Sequence, residues 1–261
     1  MEGGDNTMGQ FIPKFCCDFI LENSANRIDE ITEALQFEST DDYDDWTFST
    51  GEVRSASSVP ITDILINLFP EHSRSIICSL KKQFNLTSIV TLKIFYKNSN
   101  FPFVVFDNNF IRFLLSTETE FVLSIVESDS ESNTPKLRLK LTAKGSSLFF
   151  EQIENNTKKT PWFKRRKQQF PIQAQEHAEN CWMYRTEDFL ISQLAEKSNN
   201  FYSDFSNKGI EKFINSEKSY IELNFYGDGG VCISKAIPKD LIALANELSV
   251  SILIGMYAKE T

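Results

Sequence analysis

Two stretches of sequence decide the fold: Trp46-Thr47-Phe48-Ser49-Thr50 and, roughly 130 residues later, Trp182-Met183-Tyr184-Arg185-Thr186. Each is followed by a long helical pattern and then by an apolar run that ends in a related tripeptide, Ile94-Phe95-Tyr96 or Asn224-Phe225-Tyr226. A polar turn, a short strand, a short helix and a final apolar strand come next in both places. Landmarks repeated in the same order predict a duplicated domain.

Apolar periodicity and turn residues predict the elements of each copy. In the first copy, Asn23 to Asn26 offer a cap for a first helix, Pro60 precedes a second helix, and a third helix is predicted over 108–115. The predicted strands of this copy are 15–21, 46–50, 89–96, 103–106 and 121–126. In the second copy we predict a strand from 137, a helix led by Gly145, a strand at 181–185 and a helix from Asp188. A strand at 219–226 is then predicted to form a hairpin, through 227–230, with a strand at 231–234. A helix after Pro238 and a strand at 250–257 complete the second copy.

The predicted fold class is α+β, with two tandem similar domains that each have a mixed or antiparallel sheet covered by helices on one face. The predicted boundaries are a flexible tail at 1–13, a first repeat domain at 14–127, a linker at 128–135 and a second repeat domain at 136–261. The linker prediction rests on a polar, charged run that ends at Pro135, directly before an alternating strand pattern.

The composition predicts a globular, cytoplasmic protein. No apolar run reaches the roughly 20 residues that a bilayer requires, and the first residues lack the basic flank and apolar stretch of a signal peptide. Five cysteines without a regular spacing are typical of reduced core thiols. The 23 phenylalanines are expected mainly in the core.

The net charge of −9 is unevenly distributed. Residues 1–130 carry 9 Lys and Arg against 20 Asp and Glu, a net charge of −11, whereas residues 131–261 carry 18 against 16, a net charge of +2. The acidic first half disfavours a general nucleic-acid binder, because phosphate is repelled within the Debye length. It favours a basic protein partner.

The repeated landmarks also resemble a known family. The two tryptophan strands, the helix after each, the Phe-Tyr strand ends and the short helix before each closing strand together resemble the bacterial family catalogued as domain of unknown function 4279, as two copies that cover most of the chain. In the first copy Asp29-Glu30-Ile31-Thr32 matches the helix and Trp46 the strand, whereas the second has a longer, basic loop before Trp182. The resemblance implies no assigned activity, and some members look like immunity proteins encoded near polymorphic toxins.

An acidic loop precedes Trp46. Three interpretations stand for it: a divalent-cation site, although it lacks the ligand alternation of an EF-hand loop, a surface that contacts a basic protein, or a solvated loop. The candidate partner-binding residues are Glu38, Asp41, Asp42, Tyr43, Asp44 and Asp45.

A basic stretch at 158–167 interleaves six cations with two aromatic residues. This pattern is typical of surfaces that neutralise phosphate and stack bases, of partner-binding loops, or of a loop that pairs with the acidic loop of the other copy. The candidate polyanion-binding residues are Lys158, Lys159, Trp162, Lys164, Arg165, Arg166 and Lys167.

Metal and catalytic motifs are weak in this chain. His177 and Cys181 have a helical spacing but no further zinc ligands, with His72 in the other copy. No nucleophile elbow, phosphate-binding loop or dinucleotide motif occurs. Trp46 and Trp182 are expected to be core anchors.

We therefore expect a non-catalytic bacterial interaction protein without cofactor or metal. The first hypothesis is an immunity-type protein that neutralises a basic toxin by direct binding through the acidic loop, as in a toxin–antitoxin pair. The alternative is a nucleic-acid- or nucleotide-binding accessory protein, for example in phage defence, that uses residues 158–167.

Overall fold

The computed structural model describes residues 13–40, 45–54, 59–60, 71–96, 104–127, 135–145, 149–169, 178–227 and 232–258. In the first half the elements are β1 (Lys14–Glu22), α1 (Ile28–Leu35), β2 (Trp46–Ser49), β3 (Val53–Arg54), β4 (Val59–Pro60), α2 (Glu71–Phe84), β5 (Thr87–Tyr96), β6 (Val104–Phe106), α3 (Asn108–Ser116) and β7 (Glu120–Glu127). In the second half they are β8 (Lys136–Gly145), α4 (Phe150–Thr157), β9 (Phe163–Arg165), β10 (Asn180–Arg185), β11 (Phe189–Leu190), α5 (Leu194–Phe205), β12 (Tyr220–Gly227), β13 (Cys232–Ala236), α6 (Lys239–Leu248) and β14 (Ser251–Ala258). Within these ranges, no helix is long and apolar enough to cross a membrane.

The strands form two mixed sheets. The first has six strands in the order β13-β7-β5-β1-β2, with β3 also paired to β1, and the second has eight in the order β4-β6-β14-β12-β8-β10-β9, with β11 also paired to β8. The pairs β5–β7, β12–β14 and β4–β6 are parallel. Helices accompany both sheets, so the predicted α+β class is confirmed.

Each sheet takes strands from the other half of the chain: the first takes β13, and the second takes β6 together with β4, which pairs with β6. β13 pairs antiparallel with β7, from Cys232 opposite Val126 to Ala236 opposite Val122. β6 pairs antiparallel with β14 in the other sheet, and α3 and α6, which follow the two exchanged strands, contact each other. The boundaries 14–127 and 136–261 and the presence of two tandem copies stay predictions, and neither range contains a complete sheet.

The exchange overturns the predicted hairpin through residues 227–230. β12 lies between β8 and β14 and is hydrogen-bonded on both sides, so β13 has no free edge of β12 to pair with. β5 is likewise hydrogen-bonded on both sides, to β1 and β7. β6 therefore pairs in the second sheet instead of with β5. Two strands joined by a short polar turn were expected to pair, but the sheet order prevents it.

The core lies where the strand alternation predicts it. In β8, Leu137, Leu139 and Leu141 are fully buried, whereas Arg138 and Lys140 alternate with them on the opposite side of the sheet. Trp46 and Trp182 have no exposed surface and pack edge-on against Phe19 and Phe205 respectively. Their predicted role as core anchors is confirmed.

The predicted cap of α1 and the predicted helix start at Gly145 need correction. Helix α1 is preceded by Arg27 and has no side-chain cap from Asn23 to Asn26, because Ser24 instead hydrogen-bonds Leu21 and Asp45. Gly145 is the last residue of β8, opposite Asn180, rather than the start of a helix. Pro60 ends β4, and the helix predicted directly after it lies outside the described residues.

The helix predicted from Asp188 begins later than expected. Phe189 and Leu190 extend the sheet by pairing with Leu137 and Lys136 of β8. A short 3-10 turn at Ile191–Gln193 follows, and α5 starts only at Leu194. In this pairing the ring of Phe189 is buried, and the burial of its apolar surface favours the strand over a helix that starts at Asp188.

Candidate functional site

The acidic loop is only partly described. Asp41, Asp42, Tyr43 and Asp44 lie outside the described residues. Glu38 is exposed, but Asp45 accepts a hydrogen bond from the backbone N–H of Ser24 at 2.8 Å. Asp45 therefore holds the turn between β1 and α1, and the loop as a partner-binding surface stays a prediction.

The basic stretch forms the rim of the second sheet. Lys158 ends α4 in a left-handed conformation, and β9 then pairs antiparallel with β10, with Phe163 opposite Met183. The backbone N–H of Trp162 donates to the carbonyl oxygen of Met183 at 2.9 Å. The stretch is thus an edge strand with a fixed register rather than a free loop.

Half of its cations pair with carboxylates on neighbouring helices. Lys159 contacts Asp204 of α5 at 2.6 Å. The other two pairs are with α4, Lys164 with Glu154 at 3.0 Å and Arg166 with Glu151 at 3.0 Å. The partners of these three cations lie in their own half of the chain. The interpretation in which the basic stretch pairs with the acidic loop of the other half stays a prediction, because Asp41, Asp42 and Asp44 lie outside the described residues.

The two aromatic residues of the stretch are exposed. Trp162 is 55% and Phe163 40% solvent-exposed. The guanidinium of Arg185, at the end of β10, lies 4.1 Å from the centre of the Trp162 ring. An exposed indole that carries a cation on one face is a common element of binding surfaces.

A cleft opens beside Trp162. It has a volume of about 370 Å³ and its walls include Arg138, Trp162, Arg185 and Asp188. Arg138 donates to Asp188 at 2.8 Å and lies 4.6 Å from the ring of Tyr226. The cleft therefore connects the rim of the sheet to aromatic residues further along the same face.

The strand register assembles these residues into one surface. Residues directly opposite in neighbouring strands lie on the same side of a sheet, and Arg185 is opposite Lys140. Arg165 and Lys144 are both opposite Cys181. We call this surface the basic face, formed by Trp162, Arg165, Arg185, Arg138, Lys140, Lys144, Tyr226 and Tyr257.

Charge compensation within the basic face is partial. Lys140 donates to both carboxylate oxygens of Glu222, at 2.9 and 3.1 Å. Arg185 and Lys144 lie over the aromatic rings of Trp162 and Tyr220, and neither forms an ion pair with a described carboxylate. Positive charge is thus available at both ends of β10.

Two tyrosines keep hydrogen-bond donors on this face. Burial, and next the Glu222 carboxylate, raises the pKa of Tyr220 and of Tyr257. The ring of Tyr257 stacks on Tyr226 with centres 5.5 Å apart. Both hydroxyls therefore stay protonated at neutral pH, and that of Tyr220 already hydrogen-bonds Glu222.

The matching face of the first sheet has a different charge. Trp46 is opposite Leu21, and Trp182 is opposite Ala143. These pairings align the two sheets, and the residue three positions before the tryptophan's partner is Asp18 in β1 and Lys140 in β8. The first sheet also has Cys16 and Ser49 where the second has Arg138 and Arg185. At these matched positions the basic residues therefore belong to the second sheet, while the first sheet has Lys93 opposite Cys16.

Asp18 is the centre of a polar cluster on the first sheet. Its carboxylate accepts hydrogen bonds from Lys93 at 2.9 Å, Ser49 at 2.6 Å and the Cys16 thiol at 3.2 Å. Burial raises its pKa, but the hydrogen bonds from Ser49, Lys93 and Cys16 outweigh burial and hold the pKa of Asp18 below its ordinary value of 3.8. Burial raises the pKa of the Cys16 thiol, so the cluster has no reactive thiolate.

The substitution Asp18→Asn should reduce stability by about 1–3 kcal/mol near neutral pH. Because the folded protein lowers the pKa of Asp18, its stabilising contribution is complete above 3.8 and is lost as the pH falls through the folded pKa. The free energies of unfolding of the parent and Asp18→Asn proteins, measured with urea, should therefore converge as the pH falls below 3.8. The control Glu52→Gln, which removes an exposed pair with Lys14, should change little. A difference that persists unchanged in acid would contradict this role for Asp18.

The predicted metal and thiol candidates are only partly described. His177 lies outside the described residues, and burial raises the pKa of Cys181 in β10. Where the structure is described, no group of three His, Cys, Asp or Glu side chains is arranged to hold a metal ion. Cys17 is buried while Cys16 points to the other side of β1, as the strand alternation predicts.

Sequence reasoning predicted only two residues of the basic face as binding residues, Trp162 and Arg165. Arg138 and Lys140 were recognised only as part of a strand pattern, and Arg185 only as part of the tryptophan strand. Their outward positions in alternating strands were the available signal. Tyr226 and Tyr257 come together through the parallel pairing of β12 with β14, which no local pattern specifies.

The comparisons with known proteins add no relative: no family model, curated protein or solved structure matches the chain.

Proposed function

We propose that this is a non-catalytic binding protein that recognises a polyanion through the basic face. The observation that carries the proposal is Arg185 held over the exposed ring of Trp162 at the mouth of a cleft that Arg138 also lines. Cations neutralise backbone anions and release their counterions, while an aromatic face offers a stacking surface. The proposal assigns no catalysis, cofactor or metal and places the protein in the cytoplasm.

The contrast between the two sheets supports a division of labour. We infer that the chain consists of two related domains, supported by the matching orders β2-β1-β5-β7 and β10-β8-β12-β14 and by the corresponding tryptophans. In this account the first domain is mainly scaffold, since it has Asp18 where the second has Lys140. The second domain carries the binding surface.

The substitution Arg185→Ala should weaken binding to labelled heparin about tenfold and reduce the salt slope of the affinity by about 1. Fluorescence anisotropy at about 50 and 200 mM salt would measure both quantities. The matched control is Arg54→Ala, which removes an exposed arginine from β3 of the first sheet and should leave the affinity unchanged. Equal losses in the two variants, or no heparin binding by the parent protein, would contradict the proposal.

Toxin neutralisation through the acidic loop is a second proposal. It is supported by the exposed carboxylate of Glu38 and by the net charge of −11 over residues 1–130. The combined substitutions Asp41→Lys, Asp42→Lys and Asp44→Lys should slow association with a basic toxin and flatten its salt dependence. Unchanged association kinetics would contradict this placement.

A further inference from the structure

We infer that the polyanion is a single-stranded nucleic acid, with one base stacked on Trp162 and the backbone running across the strands towards Tyr226. This inference rests on the proposed polyanion-binding function and names its ligand. It rests on two groups of aromatic residues: the exposed rings of Trp162 and Phe163 lie at one rim of the basic face, and the stacked pair of Tyr226 and Tyr257 lies across it.

The rim supplies a stacking platform. The hydrogen bond from the Trp162 backbone to Met183 fixes the residue at the sheet edge, and Arg185 covers one face of its ring at 4.1 Å. With 55% of the residue exposed, surface remains for a planar base. Phe163, 6.4 Å from Trp162 between ring centres, extends the exposed aromatic surface. A polymer without bases has no planar aromatic group to stack on these rings.

The cations lie along the path between the two aromatic clusters. Arg185 on β10 is opposite Lys140 on β8, and Arg138, two residues from Lys140, contacts the ring of Tyr226 on β12. From β10 to β12 is two strand spacings, roughly 10 Å. That distance spans about three steps of the roughly 3.4 Å axial rise of a stacked strand and fewer of an unstacked one, so the path covers only a few nucleotides.

A duplex fits this surface poorly. The bases of a double helix are stacked on each other and expose only their edges in the grooves, so Trp162 would find no free base face. The second sheet presents strands with alternating side chains rather than a helix that could enter the major groove. Unstacked bases of a single strand can reach both aromatic clusters.

The protein contains its own reporter for this interaction. Of its 3 tryptophans, Trp46 and Trp182 have no exposed surface and only Trp162 is accessible. A base stacked on Trp162 should therefore quench intrinsic fluorescence of the full-length protein, whereas heparin should bind without quenching of comparable size. An oligonucleotide of about 10 nucleotides, its duplex form and labelled heparin are the three probes.

The discriminating variant is Trp162→Ala, with Trp162→Phe as the conservative control. Trp162→Ala should lower affinity for the single strand about tenfold, a larger loss than it causes for heparin, and Trp162→Phe should retain most of the affinity. Because Trp162 is half exposed, both variants should keep the parent thermal unfolding curve. Heparin binding with no quenching and no single-strand preference would overturn this inference and leave the proposed function standing. Absence of binding to all three probes would overturn both.

Discussion

Separating the two halves of the chain within residues 128–134 should leave neither half stably folded. Alone, residues 1–131 would lack β13 along the free edge of β7, and their own β6 would have no β14 to pair with. The second half would lose β6 and the adjoining β4 in the same way. Co-expression of both halves should restore one complex that elutes as a single species, measured by size-exclusion chromatography and circular dichroism.

The exchanged strand itself allows a matched pair of substitutions. Ile237 donates its backbone N–H to Phe121 at 2.8 Å, and hydrogen-bonded positions alternate along an antiparallel pair. The N–H of Lys235 therefore points to β7, whereas that of Ser234 points away from it. Lys235→Pro should destabilise the protein by about 1–3 kcal/mol more than Ser234→Pro. Separate halves that unfold cooperatively at the full-length midpoint, or equal effects of the two prolines, would contradict the exchange.

The second large effect is expected at the core tryptophan of the first sheet. Trp46→Ala should lower the free energy of unfolding by about 3–5 kcal/mol, a large part of the roughly 5–15 kcal/mol of an ordinary domain. The indole is completely buried, packs against Phe19 and donates through Nε1 to Thr32 at 3.1 Å. Urea unfolding would measure the change, with the exposed Trp162→Ala as a control that should shift stability by less than about 0.5 kcal/mol.

The two buried tryptophans should respond differently to phenylalanine. The indole nitrogen of Trp182 is buried without a hydrogen-bond partner among the described residues, whereas that of Trp46 is bonded to Thr32. Trp46→Phe leaves a hydroxyl without its donor, and Trp182→Phe removes an unpartnered polar atom. Trp46→Phe should therefore be the more destabilising by about 1 kcal/mol. The reverse order would contradict the hydrogen bond as a stabilising contact.

Sequence patterns predicted what depends on local spacing. The alternation of leucines with charged residues over 137–141 identified β8, and Pro238 before an apolar helical pattern marked the start of α6. Trp46 and Trp182 were recognised as core because a large aromatic in a strand pattern is seldom exposed. The α+β class follows from these elements together.

What escaped prediction depends on non-local pairing. No residue near 227–230 indicates that β12 is hydrogen-bonded to a strand on each side. The pairing of β13 with β7 therefore becomes clear only once the sheet order is known. The basic face has the same origin, because Arg185 and Arg138 are separated by 47 positions in sequence and meet through the β8–β10 register. The charged run at 158–167 drew the prediction to the loop, while the helices neutralise half of its cations.

The most direct test of the basic face is hydrogen–deuterium exchange of the full-length protein with and without a saturating single-stranded oligonucleotide. The account predicts slower exchange at residues 160–165 and 180–186, where Trp162 and Arg185 meet, and no change in β1 and β2 of the first sheet. Protection confined to residues 38–45, or no protection while the oligonucleotide is bound, would contradict it.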